Sequence, residues 1–232
     1  MSDRQYQILS IIMTALLLFS SFFVGREVAV VTMSGSVKTE EKCIVLDAGH
    51  GGADPGKVGI NGIEEKHINL EIVRRIKKYL EAADVRVVLT RENDQVPEEG
   101  QRKNQKVQDM RRRVDVIESN RPHAVVSIHQ NSFPQEAVHG AQVFYYTGSV
   151  SGQKLASRLQ NAVTRYADIG NQRQIKANDS YYLLKKTSVP IVIVECGFLS
   201  NWEEAEKLRT AEYQDKMAWA ITLGILQYLN GG

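Results

Sequence analysis

The sequence predicts an α/β fold: a single domain built on a mostly parallel, twisted sheet with helices on both faces. Short, uniformly apolar runs alternate with amphipathic segments of helical period from residue 42 onwards. Such runs are typical of strands that are covered on both faces, as they are in parallel sheets. The length of 232 residues suits one large domain, and the sequence contains no internal repeat.

In chain order, the apolar run 43–46 predicts the first strand, because the glycine-rich stretch 47–56 that follows it is incompatible with a helix. Apolar residues at three- and four-residue steps then predict a helix over 66–82. The valine-rich run 85–89 predicts the second strand. The polar stretch 91–108 predicts a loop.

In the next part of the chain, a short helix over 110–119 is expected to lead into a third strand at 124–128, which is again uniformly apolar. A fourth strand at 141–146 precedes a helix whose apolar stripe covers 155–166. Strand and helix therefore continue to alternate, as a parallel sheet requires.

The last part of the chain completes the pattern. The polar stretch 168–180 predicts a loop, and a short extended piece is expected at 181–184. A fifth apolar strand is predicted at 191–194, directly after Pro190. The final helix, 217–229, has the most regular helical periodicity of the sequence.

The amino-terminal segment predicts export from the cytoplasm. Residues 8–24 carry no charge and follow Arg4, which is the pattern of a signal peptide or a membrane anchor. Both interpretations stay open because the length lies between those typical of the two, and a buried core helix is disfavoured by the lack of amphipathicity. With the polar spacer that follows it, this segment makes up 1–41, and the folded domain is expected over 42–232. We therefore expect an extracytoplasmic protein that is either anchored in the membrane through its amino-terminal segment or secreted.

Charge and cysteine content exclude several classes of function. The chain has 29 basic and 27 acidic residues, a net charge of +2, so no nucleic-acid partner is expected. Two cysteines are too few for a disulfide scaffold or a four-cysteine zinc site. Cys43 starts one predicted strand and Cys196 ends another, which places them roughly 15 Å apart in a parallel sheet. We expect buried thiols without a disulfide.

Polar side chains at the ends of the predicted strands suggest a metal site. In open α/β sheets, ligands bind beyond the carboxyl ends of the strands. The first strand runs into His50, the third into His129 and the fifth into Glu195, while Glu64 and Glu65 begin the first helix. Two imidazoles and one carboxylate form the ligand set of catalytic zinc, which keeps a fourth position for water.

Each of these residues also has a purely structural interpretation. A histidine after a strand often only caps or hydrogen-bonds the backbone, and Glu64 and Glu65 could simply favour a helix amino terminus. Glu195 could be a paired structural carboxylate, although an ionised acid directly after an apolar run is costly to bury without a partner. His123 and His139 precede strands, so we expect them at the opposite edge of the sheet, in structural roles.

Four motifs, in this order and spacing, resemble one enzyme family. They are LDAGHGGADPGKVG, the glutamate-lysine pair before Ile68-Asn69-Leu70, VSIHQNS and IVIVECGFLSN. They are similar to those of the zinc-dependent N-acetylmuramoyl-L-alanine amidases of bacterial cell walls, the amidase type 3 family. The resemblance covers about 43–229. It implies that 42–232 is a catalytic domain that cleaves the amide between the lactyl group of muramic acid and the L-alanine of the peptidoglycan stem peptide.

The resemblance also implies roles for individual residues. His50, Glu65 rather than Glu64, and His129 would hold Zn²⁺, and Glu195 would be the catalytic residue. As a general base, Glu195 would take a proton from the attacking water and return it to the leaving amine. Asn131 is a candidate for binding substrate, and it or Ser127 could orient a ligand through hydrogen bonds.

The layout of one short exported catalytic domain resembles the sporulation amidases that prepare the spore cortex and serve germination. We therefore expect peptidoglycan as substrate; a protein activator is a further candidate partner, and the sequence leaves open whether one is needed. Alternative functions are a zinc peptidoglycan carboxypeptidase, a deacetylase, or a wall-binding module without catalysis. Six basic residues are interpreted as a solvated face, with binding of anionic wall polymers as the second interpretation: Arg102, Lys103, Lys106, Arg111, Arg112 and Arg113.

Overall fold

The computed structural model describes residues 3–33, 41–94 and 105–231, and the chain divides into two compact units, Met1–Glu41 and Lys42–Gly232. The first unit contains helix α1 (Asp3–Met33). Long apolar side chains of α1, such as Leu17 and Phe19, are exposed. Among the described residues, no helix combines the length and the apolar character needed to span a membrane.

The second unit is organised around one sheet, which contains six strands in its described part. The strands are β1 (Cys43–Ala48), β2 (Arg86–Leu89), β3 (Ala124–Asn131), β4 (Gln142–Tyr146), β5 (Lys176–Asn178) and β6 (Ile191–Phe198). The helices are α2 (Glu65–Glu81), α3 (Gln105–Asn120), α4 (Val150–Tyr166), α5 (Tyr182–Lys186), α6 (Trp202–Leu208) and α7 (Ala211–Leu229).

The strand order is β2-β1-β3-β6-β4-β5. The first four strands in this order are parallel, β4 is antiparallel to β6, and β5 is parallel to β4. The predicted α/β fold with a mostly parallel sheet is therefore confirmed, and the antiparallel β4 makes the sheet mixed.

Helices cover both faces of this sheet, as predicted. Successive side chains of a strand point to opposite faces: Ile44 and Leu46 of β1 join the core beneath α2, α4 and α7, whereas Val45 joins a smaller core beneath α3 and α5. Strands buried on both faces explain why the predicted strands are apolar without alternation.

The five predicted strands are confirmed, and three of them, β1, β3 and β6, are longer than predicted. β3 extends to Asn131 and β6 to Phe198, so His129 and Glu195 lie inside strands rather than after them. The expected extended piece at 181–184 is wrong: helix α5 begins at Tyr182, because the leucines that follow pack into the smaller core.

Two predicted loops contain regular structure. The stretch 168–180 includes the short strand β5, which pairs with β4. In 91–108, helix α3 already begins at Gln105, whereas 95–104 lies outside the described residues. Helix α6 was not predicted, since its seven residues are too few to show a helical period.

His139 is not at the edge of the sheet where the sequence places it. Because β4 runs antiparallel to β6, the loop before β4 lies at the same edge as the carboxyl end of β6. The hydrogen bond from Gly140 N to Glu204 Oε1 of α6 (3.0 Å) shows this placement. The placement of His139 took β4 to be one of the parallel strands of a mostly parallel sheet, whereas β4 is antiparallel to β6.

Candidate metal centre

Three side chains from separate elements meet at the carboxyl edge of β1 and β3. His50 lies two residues after β1, Glu65 is the first residue of α2, and His129 lies in β3. One ligand atom from each lies within 4.8 Å of the other two. β1 and β3 are neighbouring parallel strands, which is why their carboxyl ends bring the two histidines together.

Glu65 lies between the two imidazoles. His50 Nε2 is 3.3 Å from Glu65 Oε2, and His129 Nδ1 is 3.0 Å from Glu65 Oε1. The histidine rings themselves stand edge to face with their centroids 5.0 Å apart. The structure thus brings together the three residues that the sequence proposes as metal ligands.

The Glu65 carboxylate is buried and held from several sides. Oε2 accepts a hydrogen bond from Lys57 N (2.8 Å), and Oε1 accepts one from Gln130 N (3.0 Å). Burial alone would raise the pKa of Glu65, but the hydrogen bonds with His129 and His50 hold it well below its usual range. The carboxylate is therefore ionised, as a metal ligand must be.

Close packing around these ligands requires glycine at two positions. A Cβ atom at Gly49 would collide with the His129 ring, and one at Gly56 would lie 2.5 Å from Glu65 Oε2 and 2.7 Å from His50 Cδ2. Gly56 also has a φ of +71°, in the left-handed region that glycine adopts at low cost. The glycines of the first motif therefore make room for the ligand side chains.

Asp54 orients the His50 ring. Its Oδ2 atom is 3.0 Å from His50 Nδ1, which leaves Nε2 of the ring directed at Glu65. Carboxylates that hold the second ring nitrogen of a histidine are typical of metal sites. The chemistry of the donor set, two imidazoles and an ionised carboxylate, fits a zinc ion.

Glu195 lies beside this cluster, on β6, directly opposite His129 in the register of β3 and β6. Its side chain is buried, and burial raises its pKa. Oε1 lies 3.3 Å from the Tyr181 hydroxyl, whereas Oε2 has no hydrogen-bond partner within the described part of the chain. A buried carboxylate oxygen without a partner is costly to maintain unless something binds there.

His50, His129 and Glu195 line one cavity of about 430 Å³. Apolar side chains such as Met110, Leu183 and Ile193 form part of its wall. A concave, largely apolar site with a few convergent polar groups is typical of an enzyme that binds a substrate of moderate size.

The family assignment agrees with this geometry. Residues 44–227 match the model of the N-acetylmuramoyl-L-alanine amidase family, Amidase_3. The chain belongs to this family. Amidases of this family are hydrolases, so the cluster and its cavity are the candidate active centre of a hydrolase.

Two curated relatives match most of the length of this chain. The germination-specific N-acetylmuramoyl-L-alanine amidase of Bacillus subtilis is 37% identical over 196 residues, which is 83% of this chain and 82% of the relative. The amidase LytC of the same organism is 31% identical over 80% of this chain, but that region is only 35% of LytC.

Solved structures show the same fold. The CwlD amidase from Clostridioides difficile, determined in complex with the GerS lipoprotein, has a TM-score of 0.80 and 38% identity over 83% of this chain and 100% of CwlD. AmiC2 of Nostoc punctiforme has a TM-score of 0.71 and 35% identity over 82% of this chain and 97% of AmiC2.

Other residues of the amidase that the sequence singles out lie elsewhere. Glu64 is half-exposed and pairs with Lys66 (3.3 Å) and His67 (3.2 Å) rather than with the cluster. Asn131 is not among the described residues that line the cavity, and its Oδ1 accepts a hydrogen bond from Ser132 N (2.8 Å). Ser127 does not touch a ligand side chain in the described contacts but donates to Asp47 Oδ2 (2.5 Å).

A buried ion pair, which the sequence analysis does not predict, lies beneath the cluster. Arg113 Nη1 donates to Asp47 Oδ1 (2.5 Å) and Arg113 Nη2 donates to the backbone oxygen of His50 (2.6 Å). His50 has a φ of 61°, unusual for a residue other than glycine. Arg113 is therefore buried and holds the backbone of His50, and its placement in an exposed basic face is wrong.

Asp47 is the acceptor on which this buried network depends. Besides Arg113, it accepts hydrogen bonds from Ser127 Oγ (2.5 Å) and Thr90 Oγ1 (2.6 Å). Burial would raise the pKa of Asp47, but the Arg113 charge and these hydroxyls hold it well below its usual range. Asp47 is thus ionised throughout the neutral range.

We expect the Asp47→Asn variant to lose about 2 kcal/mol of unfolding free energy at pH 7, because it removes one of the two carboxylates that pair with the buried Arg113 and leaves only Asp109, 2.7 Å from Arg113 Nε. Folding lowers the pKa of Asp47 below its ordinary value of 3.8. The ionised carboxylate therefore contributes its full stabilisation to the fold above pH 3.8, and this stabilisation is lost as the pH falls towards the pKa of the folded protein. Urea unfolding of metal-free protein should therefore show a smaller difference between wild type and variant at pH 3 than at pH 7.

The control for this experiment is Asp215→Asn, whose half-exposed carboxylate contacts Tyr79 and Arg75 at the surface. We expect this substitution to lower the free energy of unfolding by no more than about 1 kcal/mol. A loss for Asp47→Asn that is the same at both pH values would show that the ionised carboxylate does not stabilise the fold.

Proposed function

We propose that this amidase is a zinc hydrolase that cleaves the amide between N-acetylmuramic acid and the L-alanine of peptidoglycan stem peptides, in the maturation of the spore cortex. The observation that supports it most is the convergence of His50, Glu65 and His129 beside the buried, unpartnered oxygen of Glu195. Family membership supplies the reaction class.

His50, Glu65 and His129 would hold the zinc ion. When bound, zinc lowers the pKa of a water molecule towards about 7 and polarises the scissile carbonyl. Glu65 contributes a negative charge at the amino terminus of α2, where the helix dipole stabilises it. Asp54 and the backbone donors of Lys57 and Gln130 keep the donor atoms in place.

Glu195 moves the proton. Its Oε2 atom accepts a proton from the attacking water and delivers it to the amide nitrogen, which leaves as the free amine of L-alanine. The bond between the lactyl carbonyl carbon and that nitrogen breaks, and the water oxygen stays on the lactyl carboxylate. Burial raises the pKa of Glu195, which makes its carboxylate a better proton acceptor.

The spore cortex is proposed as the site of action because of the relatives. The Bacillus subtilis protein is germination-specific, and the Clostridioides difficile amidase CwlD shares 38% identity and a TM-score of 0.80 with this chain. CwlD was determined with a lipoprotein bound, which supports a protein partner for this chain as well. Full activity of the purified chain alone would remove an obligatory activator from the proposal.

We propose that the protein is exported from the cytoplasm, because the uncharged segment 8–24 has the pattern of a signal peptide or membrane anchor. Mass determination of the protein recovered from outside the cytoplasm of a producing bacterium would separate the two. Loss of the segment indicates a cleaved signal, and its retention in the membrane fraction indicates an anchor. Accumulation in the cytoplasm would contradict export.

The reaction itself is tested by digesting purified peptidoglycan and analysing the products by mass spectrometry. We expect free stem peptides that begin with an unmodified L-alanine amine, and glycan strands with a lactyl carboxylate. Release of terminal D-alanine would indicate a carboxypeptidase and release of acetate a deacetylase. Binding to peptidoglycan without any product would indicate a wall-binding module.

A further inference from the structure

We propose that Tyr181 is a positioning residue for Glu195: its hydroxyl holds Oε1 of the carboxylate so that Oε2 is the oxygen that exchanges the proton. This inference rests on the proposed function, in which Glu195 is the general base. It assigns different functions to the two oxygens of the carboxylate: Oε1 accepts the hydrogen bond, and Oε2 exchanges the proton. It also assigns a role to Tyr181, which belongs to none of the four sequence motifs.

The two oxygens of Glu195 have different surroundings. Oε1 accepts a hydrogen bond from the Tyr181 hydroxyl at 3.3 Å. Oε2 is buried and has no hydrogen-bond partner among the described residues. Among the described residues, the Tyr181 hydroxyl is therefore the only hydrogen-bond donor to this buried carboxylate. One hydrogen bond to Oε1 is enough to fix where Oε2 points.

Both the backbone and the ring of Tyr181 are held in place. The backbone N–H of Tyr181 donates to Asn178 Oδ1 (2.9 Å), in the turn between β5 and α5. The ring packs edge to face against Phe144, with centroids 5.6 Å apart. Phe144 lies on β4 opposite Ile193, two residues before Glu195 on β6. The hydroxyl and the carboxylate are thus both positioned by the β4-β6 pair of the sheet.

The surroundings strengthen this contact. Tyr181 and Glu195 line the same cavity, together with the apolar side chains of Leu183 and Ile193. A hydrogen bond to a charged group is worth more where water is scarce and the local dielectric constant is low. Tyr181 therefore acts on the base and not directly on the metal ligands, with which it has no described hydrogen bond.

The test is the Tyr181→Phe variant of the full chain, assayed on a soluble peptidoglycan fragment with an intact stem peptide. We expect kcat to fall roughly 10- to 100-fold, the value of one hydrogen bond to a charged group, with KM unchanged. Bound zinc per chain and the thermal unfolding midpoint should match those of the wild type, because the ring and its packing remain. The matched control is Tyr146→Phe, whose half-exposed ring lies outside the cavity lining.

A double variant separates positioning from a structural role. In a Glu195→Gln background, adding Tyr181→Phe should lower the residual rate less than twofold, because the base on which Tyr181 acts is gone. The proposal would be overturned if Tyr181→Phe lowered the rate in the Glu195→Gln background as much as in the wild type. It would also be overturned if the single variant Tyr181→Phe kept its kcat or changed only in KM. If the wild type releases no stem peptides either alone or with its partner protein, the proposed function fails; if it does and Tyr181→Phe is normal, only this inference fails.

Discussion

Replacing Glu195 by glutamine is expected to lower the rate of stem-peptide release by roughly 10²- to 10⁴-fold, the usual contribution of general acid–base catalysis. Glutamine has nearly the same volume as glutamate but cannot accept the proton. The side chain is buried on β6, and Oε2 carries no hydrogen bond from the described residues that the substitution would break. The fold should therefore survive the change.

Zinc content and unfolding midpoint of Glu195→Gln should equal those of the wild type, since Glu195 is not one of the three clustered ligands. The control is Glu203→Gln on α6, an exposed glutamate that pairs only loosely with Lys207 at 3.6 Å. Turnover of Glu195→Gln within a few-fold of the control would remove Glu195 from the mechanism.

Replacing His129 by alanine is expected to abolish zinc binding and with it all hydrolysis. His129 is one of three donors, and the loss of one leaves an imidazole and a carboxylate, too few for a stable site. The His129 ring also contacts Glu65 Oε1 at 3.0 Å. Removing the ring therefore deprives the buried Glu65 carboxylate of one of its partners. Elemental analysis of the purified variant after dialysis should find only a small fraction of the one zinc per chain expected for the wild type.

The matched control is His139→Ala. His139 lies at the same edge of the sheet but is not part of the cluster, and its Nδ1 contacts the backbone oxygen of Ala137 (2.9 Å). This variant should retain full zinc. One equivalent of zinc in His129→Ala would show that the ion is held elsewhere.

Much of the candidate site could be predicted because it lies where parallel strands end. His50, His129 and Glu195 each belong to or follow an uninterrupted apolar run, and the carboxyl ends of such strands share one edge. The choice between Glu64 and Glu65 could not be made from charge or helix position alone. Burial decides it: Glu65 is 1% exposed and Glu64 39% by side chain.

The supporting residues were harder to predict because they depend on tertiary contacts. Tyr181 lies 14 residues before Glu195, and its ring is placed by packing against Phe144 of β4, which is antiparallel to β6. The direction of β4 cannot be predicted from its five residues. Arg113 could have been found. It occurs with Met110 and Ile117 at three- and four-residue steps on the buried side of α3, and an arginine on an apolar stripe indicates a buried partner.

The proposed mechanism depends on one zinc ion held by His50, Glu65 and His129, within reach of Glu195. A crystal structure of the purified amidase with X-ray data collected on both sides of the zinc absorption edge tests it most directly. We expect one strong anomalous peak between the two imidazoles and the Glu65 carboxylate. A fully active, zinc-loaded protein whose peak lies at any other group of side chains would contradict it.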